Sequence, residues 1–326
     1  MPPERTILIG RTDRAFVRVF GRDPVKMIQG LVSNDIAGGA ENQGVYATLL
    51  SPKGKMLADM RVMRRPPDVL LETHVRALDN TLTTLKKFVP PLFARFEDAG
   101  AARRAFGIYG PRARDIALAV AGDAPPLDAP EDTFSAQSHD GGELLVVRTH
   151  YTGEPGGYDI IAPAASLPAL QQAALEAGAV AADLATLDVL RIEAGRPVWG
   201  AELDEEVIPL EAGIEERAIS QTKGCYTGQE VIVRILHRGH VNRHLRGVLL
   251  GDQPLPSVGA ELFRAEDARK VGNITSACVS ARFGQTIALA YVRREMTIPA
   301  TLRLGRHDGP EVTVVGLPFP SGDGGI

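Results

Sequence analysis

The chain has 326 residues, 44% of them hydrophobic and 23% charged, and carries a formal net charge of −4. Those proportions belong to a folded globular protein with a large core, and the length predicts two or three sub-domains. The charge excludes a protein-wide field that would attract nucleic acid or membrane, so anion recognition must be local. Two cysteines, Cys225 and Cys278, exclude a disulfide scaffold and favour a reducing compartment. No apolar run approaches the length of about 18 residues that suggests a membrane span. The start, Met1 to Arg5, has neither a signal-peptide nor a transit-peptide pattern, so a cytoplasmic protein with no membrane partner is expected.

In chain order, Ala15 to Phe20 has the apolar content and length of a strand, and Asp23-Pro24 supplies a helix cap followed by proline at the first helical position. Two apolar runs, Gly44 to Leu50 and Met56 to Met63, flank the polar cluster Ser51 to Lys55, which predicts a hairpin. Asp68 to Thr73 adds a strand, and Leu78, Leu82, Leu85 and Val89 recur at helical spacing. Strands and helices alternate without βαβ regularity, so the fold class is α+β.

Residues 122–132 hold three prolines and four acids without periodicity and read as a surface connector between two mixed halves. Beyond it come a strand near Phe134, a turn at Asp140-Gly141-Gly142 and a strand from Leu144 to Arg148. The loop from Tyr151 to Ile160 follows, with four glycines and prolines beside polar groups; it fits a plain hairpin turn or a ligand loop. Ser166 and Asp183 cap two helices, the second ending at Gly195 with Pro197 beyond. Arg191 lies on that helix's stripe with Leu184, Leu187 and Ala194. A cation on an apolar face must meet an acid, Glu193 or a more distant one, or else an anionic ligand. Trp199, the one tryptophan, fills core or stacks on a planar ligand.

The stretch Lys223-Gly224-Cys225-Tyr226-Thr227-Gly228-Gln229-Glu230 sets a cysteine between two glycines with a lysine two residues before it. A nearby cation lowers a thiol pKa, and the glycines permit unusual backbone and close approach. Cys225 reads as a reactive thiol activated by Lys223, or as a small buried residue. Val231 to Val233 is expected to be the strand anchoring this loop. From Val231 to Gly251 there is no acid, but Arg234, His237, Arg238, His240, Arg243, His244 and Arg246. Gly239 and Asn242 interrupt the histidines, so an anion-binding rim is expected in place of a metal site. Six short apolar runs from Leu245 to Leu317 predict a small antiparallel barrel. Cys278 falls in one of them as packing, and the tail from Ser321 is expected to be disordered.

Lys223 to Glu230 resembles the signature of the YgfZ-type folate-binding proteins, relatives of the aminomethyltransferase (T-protein) of the glycine cleavage system. The resemblance extends more weakly from about residue 25 to about residue 295. It implies two mixed α/β halves forming a folate cleft, with a C-terminal small antiparallel β-barrel closing it. The expected divisions are 1–121, a linker at 122–132, 133–243, 244–318 and a tail at 319–326. It also implies tetrahydrofolate as ligand, support of iron–sulfur cluster assembly or repair, and client or assembly proteins as partners, with tRNA modification as a further association. Gly54 to Met60 resembles the segment carrying the transferases' essential aspartate. Asp59 would then lie near the pterin, but Ala58 replaces the first of two usual acids, so transferase chemistry is the alternative reading. Tyr151 and Asp159 match the family's folate loop if one extra residue is allowed, with Glu154 as a substitute acid. Leu190 to Gly195 resembles the segment whose arginine helps hold folate, here Arg191. The basic strip would hold a folate's glutamate tail or RNA phosphates.

Overall fold

The computed structural model describes residues 5–320 except 41, 141, 154 and 155. Gly141 of the expected turn, the substitute acid Glu154 and residues 321–326 therefore lie outside the described residues.

Three sheets organise the molecule. In the five-stranded sheet the order is Val45–Leu50, Met56–Arg65, Asp68–His74, Arg14–Gly21 and Ala94–Asp98. The expected hairpin is its first pair, with Thr48 opposite Asp59. The helices Pro24–Gln29 and Leu78–Phe88 pack on this sheet, the latter burying Thr81 and Leu85. A six-stranded sheet runs Val180–Ala182, Ile7–Gly10, Arg103–Tyr109, Gly157–Pro163, Gly142–Thr149 and Phe134–His139. Its pairings are antiparallel except that of Ile7–Gly10 with Val180–Ala182. The connector at 122–132 does not divide these sheets, because strands from before it enter both.

Helix Leu184–Glu193 begins as expected, the Asp183 carboxylate accepting from the Thr186 amide at 2.8 Å. The last six strands, Arg243–Gly251, Glu261–Phe263, Lys270–Ser280, Gln285–Arg293, Ala300–Leu304 and Glu311–Val315, close an antiparallel barrel. Val248, Leu262, Ile274, Ala288, Leu302 and Val314 fill its interior.

Two apolar layers lock these parts together. Phe16, Met63 and Leu70 of the first sheet meet Phe134, Val147 and Ile161 of the second. A larger core joins Val17, Leu49 and Met60 to Trp199, Leu203, Tyr226 and Ile232, and to Ile287, Leu289 and Tyr291 of the barrel. At about 1.5–3 kcal/mol for each large side chain buried, such continuous layers fix the three sheets relative to one another. The site described next lies where they meet.

One expected element is corrected. Val231 to Val233 is not a strand: it lies within the helix Gln229–Arg238. Ile232 is buried while Val233 is 41% exposed. The helix starts at Gly228, in the left-handed region at φ 82°, and Val231 packs against the Gly54 turn. That contact outweighs the strand preference of three adjacent β-branched residues.

Candidate functional site

Strand periodicity builds the centre of the site. Residues two apart share a face, so Asp59 and Arg61 point together, with Tyr46 paired opposite Arg61. The Tyr46 hydroxyl donates to Asp59 Oδ2 at 2.9 Å. Burial, then the negative charge of Asp59, pushes the Tyr46 phenol well above its usual range, so it stays protonated and donates. The Thr73 hydroxyl donates to the Asp59 carbonyl at 2.7 Å and holds the strand there. Asp59 is 8% exposed, and its Oδ1 is buried without a hydrogen-bond partner among the described residues. A carboxylate oxygen in that state is costly unless something else occupies its lone pairs. Asp59 lines a chamber of about 40 Å³ whose walls include Arg14, Arg61, Tyr151, Arg196 and Arg217.

Tyr151 also lines a larger cleft of about 720 Å³, together with Asp13, His74, Asp188, Arg191 and Trp199. Chamber and cleft therefore share one wall. The Arg11 and Arg14 guanidinium groups lie 5.1 and 5.6 Å from the centre of the Tyr151 ring. His74 accepts the Arg76 amide at Nδ1, and burial followed by the Arg14 charge lowers its pKa. It presents a neutral imidazole to the cleft at neutral pH.

Asp159 sits beneath the chamber, 1% exposed. Its Oδ1 accepts from Tyr109 Oη at 2.7 Å and Arg11 Nη1 at 3.2 Å, and its Oδ2 accepts from both Arg61 Nη atoms at 3.2 Å. Burial works to raise this carboxyl, but Arg11 and then Arg61 outweigh it and hold the group below the usual carboxylate range. Arg61 also reaches Asp132 and Glu72, each at 2.7 Å. The last acid of the connector is thus a member of the site.

Arg191 meets acids, as its place on an apolar stripe requires, but Glu193 is not one of them. Its Nε donates to Asp188, its Nη1 to Glu202 and its Nη2 to the Ser276 hydroxyl, each at 2.7 Å. Glu202 is fully buried and also accepts from Thr275 and Ser276. This network ties helix Leu184–Glu193 to barrel strand Lys270–Ser280, and the arginine is 2% exposed. Glu193 instead accepts the Ser280 hydroxyl at 2.5 Å. Trp199, 6% exposed, fills core, as one of its two readings has it, and also forms part of the cleft wall.

The eight-residue motif lies outside chamber and cleft. The Lys223 ammonium donates to the carbonyls of Gln29, Val32 and Asn34 at 2.6, 2.6 and 3.0 Å, which occupies all three of its donors. Burial lowers its pKa to about 8. Gly224 has open space around it, Cys225 is exposed and Tyr226 is buried under the loop. A Cβ on Gly228 would come 2.5 Å from the Ser51 carbonyl, so the close approach this glycine allows is to the hairpin turn. Gln229 starts the helix, and Glu230 forms an exposed pair with Arg234. Cys278 is buried in its barrel strand, and burial pushes its thiol up to about 12. Among the described residues no group of three or more His, Cys, Asp or Glu is placed to hold a metal.

The structure therefore places Asp59 on the chamber and Arg191 and Trp199 on the neighbouring cleft, with Tyr151 lining both, and leaves Asp159 and Cys225 off both linings. Sequence reasoning passed over Arg11, Arg14, Tyr46 and Arg61. Arg61 had a signal: a cation in an apolar strand two residues from Asp59 asks for a partner as Arg191 does. Arg11 and Tyr46 had none.

Two family models cover most of the chain: the GCVT N-terminal domain matches residues 7–223, and the glycine cleavage T-protein C-terminal barrel domain matches residues 243–319. The aminomethyltransferase of Rubrobacter xylanophilus is 32% identical over 300 residues, spanning 92% of this chain and 79% of that protein. That of Moorella thermoacetica is 29% identical over 282 residues, spanning 85% and 75%. In structure, the glycine cleavage system aminomethyltransferase T of Bartonella henselae superposes with a TM-score of 0.86 at 22% identity, covering 97% of this chain and 87% of that one. Among the described residues no helix is long and apolar enough to cross a membrane.

Proposed function

This chain belongs to the glycine cleavage T-protein family, and from that premise we propose that it binds a reduced folate, tetrahydrofolate or a close relative, to support iron–sulfur cluster assembly or repair. The observation that carries folate binding is Asp59, a residue of the chamber lining whose buried Oδ1 has no partner among the described residues. A reduced pterin offers ring N–H groups that suit such an acceptor, in a charge-assisted bond. Asp59 would accept from the ring, held in place by Tyr46; Tyr151 and Trp199 would bound the ring and its aryl extension. Arg191 keeps the cleft wall in position through Glu202. Bound there, a reduced folate supplies a one-carbon carrier.

Two features favour the iron–sulfur role over methylene transfer. Asp159, at the place of the transferases' pterin acid, has both oxygens engaged by Arg11, Arg61 and Tyr109, and Ala58 stands where the first of their paired acids would be. Cys225 is exposed on a loop fixed at its base by Lys223 and Gly228, where another protein can reach the thiol. Client or assembly proteins are the partners this predicts; a role in tRNA modification would act through them. A second reading, a folate-dependent one-carbon transferase or demethylase, is favoured by the relatives' names and by the same free oxygen of Asp59.

Cys225→Ser and Asp59→Asn, compared in a deletion strain and in a methylene-transfer assay, separate the two. Loss of iron–sulfur enzyme activities with Cys225→Ser, with folate affinity intact, supports the first reading. Full complementation by Cys225→Ser, with transfer activity abolished by Asp59→Asn, supports the second.

A further inference from the structure

Beyond the folate cavity, the acid-free stretch at 231–251 leads to a second concave surface. Arg243 opens the barrel strand Arg243–Gly251, and the antiparallel register puts Arg293 directly opposite it. Like charges facing each other across a strand pair are destabilising. Around them is a cleft of about 680 Å³ whose lining adds Arg269, Lys270 and Arg294, with Glu295 the one acid. Five cations thus converge on one hollow of a chain whose net charge is −4.

Two of the five cations are not neutralised in place, and two more have only exposed partners. Arg293 and Arg294 form no ion pair with any described residue. Arg269 lies 3.5 Å from Glu295 and Lys270 2.6 Å from Glu261, both exposed pairs of the kind that contributes little. Arg243 is the fixed member. Its guanidinium lies 4.4 Å from the centre of the Tyr291 ring, and its Nη2 donates to Glu211 at 3.2 Å. Its Nε and Nη1 make no hydrogen bond among the described residues.

We propose that this barrel-rim cleft binds a small polyanion, a molecule whose closely spaced phosphate or carboxylate groups are clamped between Arg243, Arg293 and Arg294. Its volume falls within the range of small-molecule sites, about 300–1,000 Å³, and arginine forks match both oxyanions in bidentate fashion. An anion here relieves the Arg243–Arg293 repulsion, so binding is strongest at low salt and is screened as salt rises. The cleft shares no lining residue with the Asp59 chamber or the larger cleft, so the proposal stands apart from the folate reading. The same chemistry has two sources, a polyphosphate group or an oligo-γ-glutamyl chain.

Calorimetric titration of the full chain with inorganic triphosphate, and separately with penta-γ-glutamate lacking any pterin, tests it. Both are run at low salt, on the order of 50 mM. Arg293→Gln/Arg294→Gln removes two exposed charges of the cleft. Arg303→Gln/Arg306→Gln removes two charges from barrel positions outside it. At least one anion binds the wild type, the rim variant loses about tenfold or more in affinity, and the control variant stays within about twofold of wild type. Binding of triphosphate alone assigns the site to phosphate, and binding of penta-γ-glutamate alone assigns it to carboxylates. Equal losses in both variants would reduce the effect to net charge and overturn the proposal. Binding of neither small anion overturns it too, and capture of a single-stranded RNA oligomer in that case makes the surface a nucleic-acid track.

Discussion

Asp59 and Glu202 are both buried carboxylates, but their surroundings differ. Glu202 has an arginine and two hydroxyls on its oxygens, whereas Asp59 has one phenol and one bare oxygen. This separates the consequences of two substitutions. Arg191→Ala strands the Glu202 charge in the interior, which costs about 3–5 kcal/mol of stability; chemical denaturation measures it, and a loss below about 1 kcal/mol would mean that Glu202 finds another partner. Asp59→Asn keeps the fold, because the Tyr46 contact survives on an amide oxygen. The two cysteines diverge in the same way. Iodoacetamide at neutral pH labels exposed Cys225 and leaves Cys278 untouched, since reactivity follows access and thiolate fraction. Mass spectrometry of the labelled peptides checks this.

The buried thiol also gives a pH dependence with a definite sign. The Cys278 pKa rises from 9.0 unfolded to about 12 folded. Between those values the unfolded chain has lost a proton that the native state keeps, so stability falls as pH rises through this window. Cys278→Ala removes that slope. Unfolding free energies measured on both proteins across the window therefore converge at high pH, and parallel curves would contradict the burial assigned to Cys278.

At the scale of elements, the capped helices and the barrel were legible because their signals are local. Asp183 caps its helix as read, and the six barrel strands fall where short apolar runs alternate with glycine and proline. The helix Gln229–Arg238 was not legible, since its start is set by Gly228 lying on the Ser51 carbonyl, a contact 177 positions away in the sequence. That contact makes a paired prediction. Gly228→Ala combines a positive φ with a clash against backbone and costs about 1–3 kcal/mol, while Gly224→Ala meets open space and stays within about 0.5 kcal/mol of wild type. Thermal denaturation of the two variants compares them, and equal effects would show that the loop does not rest on the hairpin. The candidate site was legible in part: Asp59, Tyr151 and Arg191 line a chamber and a cleft that meet at Tyr151, but nothing in the chain order announces that Arg11 and Arg61 converge on Asp159 or that Asp132 joins Arg61.

Across the whole molecule, that convergence follows from how the sheets interleave. Ile7–Gly10 and Arg103–Tyr109 leave the first part of the chain to join the second sheet. This carries Arg11 and Tyr109 to Asp159, while Arg61 reaches the same carboxylate from the first sheet. A buried ion-pair network thus spans both sheets, and a second one, Arg191 with Glu202 and Ser276, ties helix Leu184–Glu193 to the barrel. The motif loop lines neither chamber nor cleft, so under the proposed function ligand binding and thiol chemistry would occupy separate places in one fold. Calorimetric titration with tetrahydrofolate of the wild type, Asp59→Asn and Cys225→Ser tests this separation most directly. Wild type and Cys225→Ser should bind alike, with Asp59→Asn weaker by about 1.5–3 kcal/mol, the range for a hydrogen bond to a charged group. Equal affinity in wild type and Asp59→Asn, or no binding by the wild type, would contradict it.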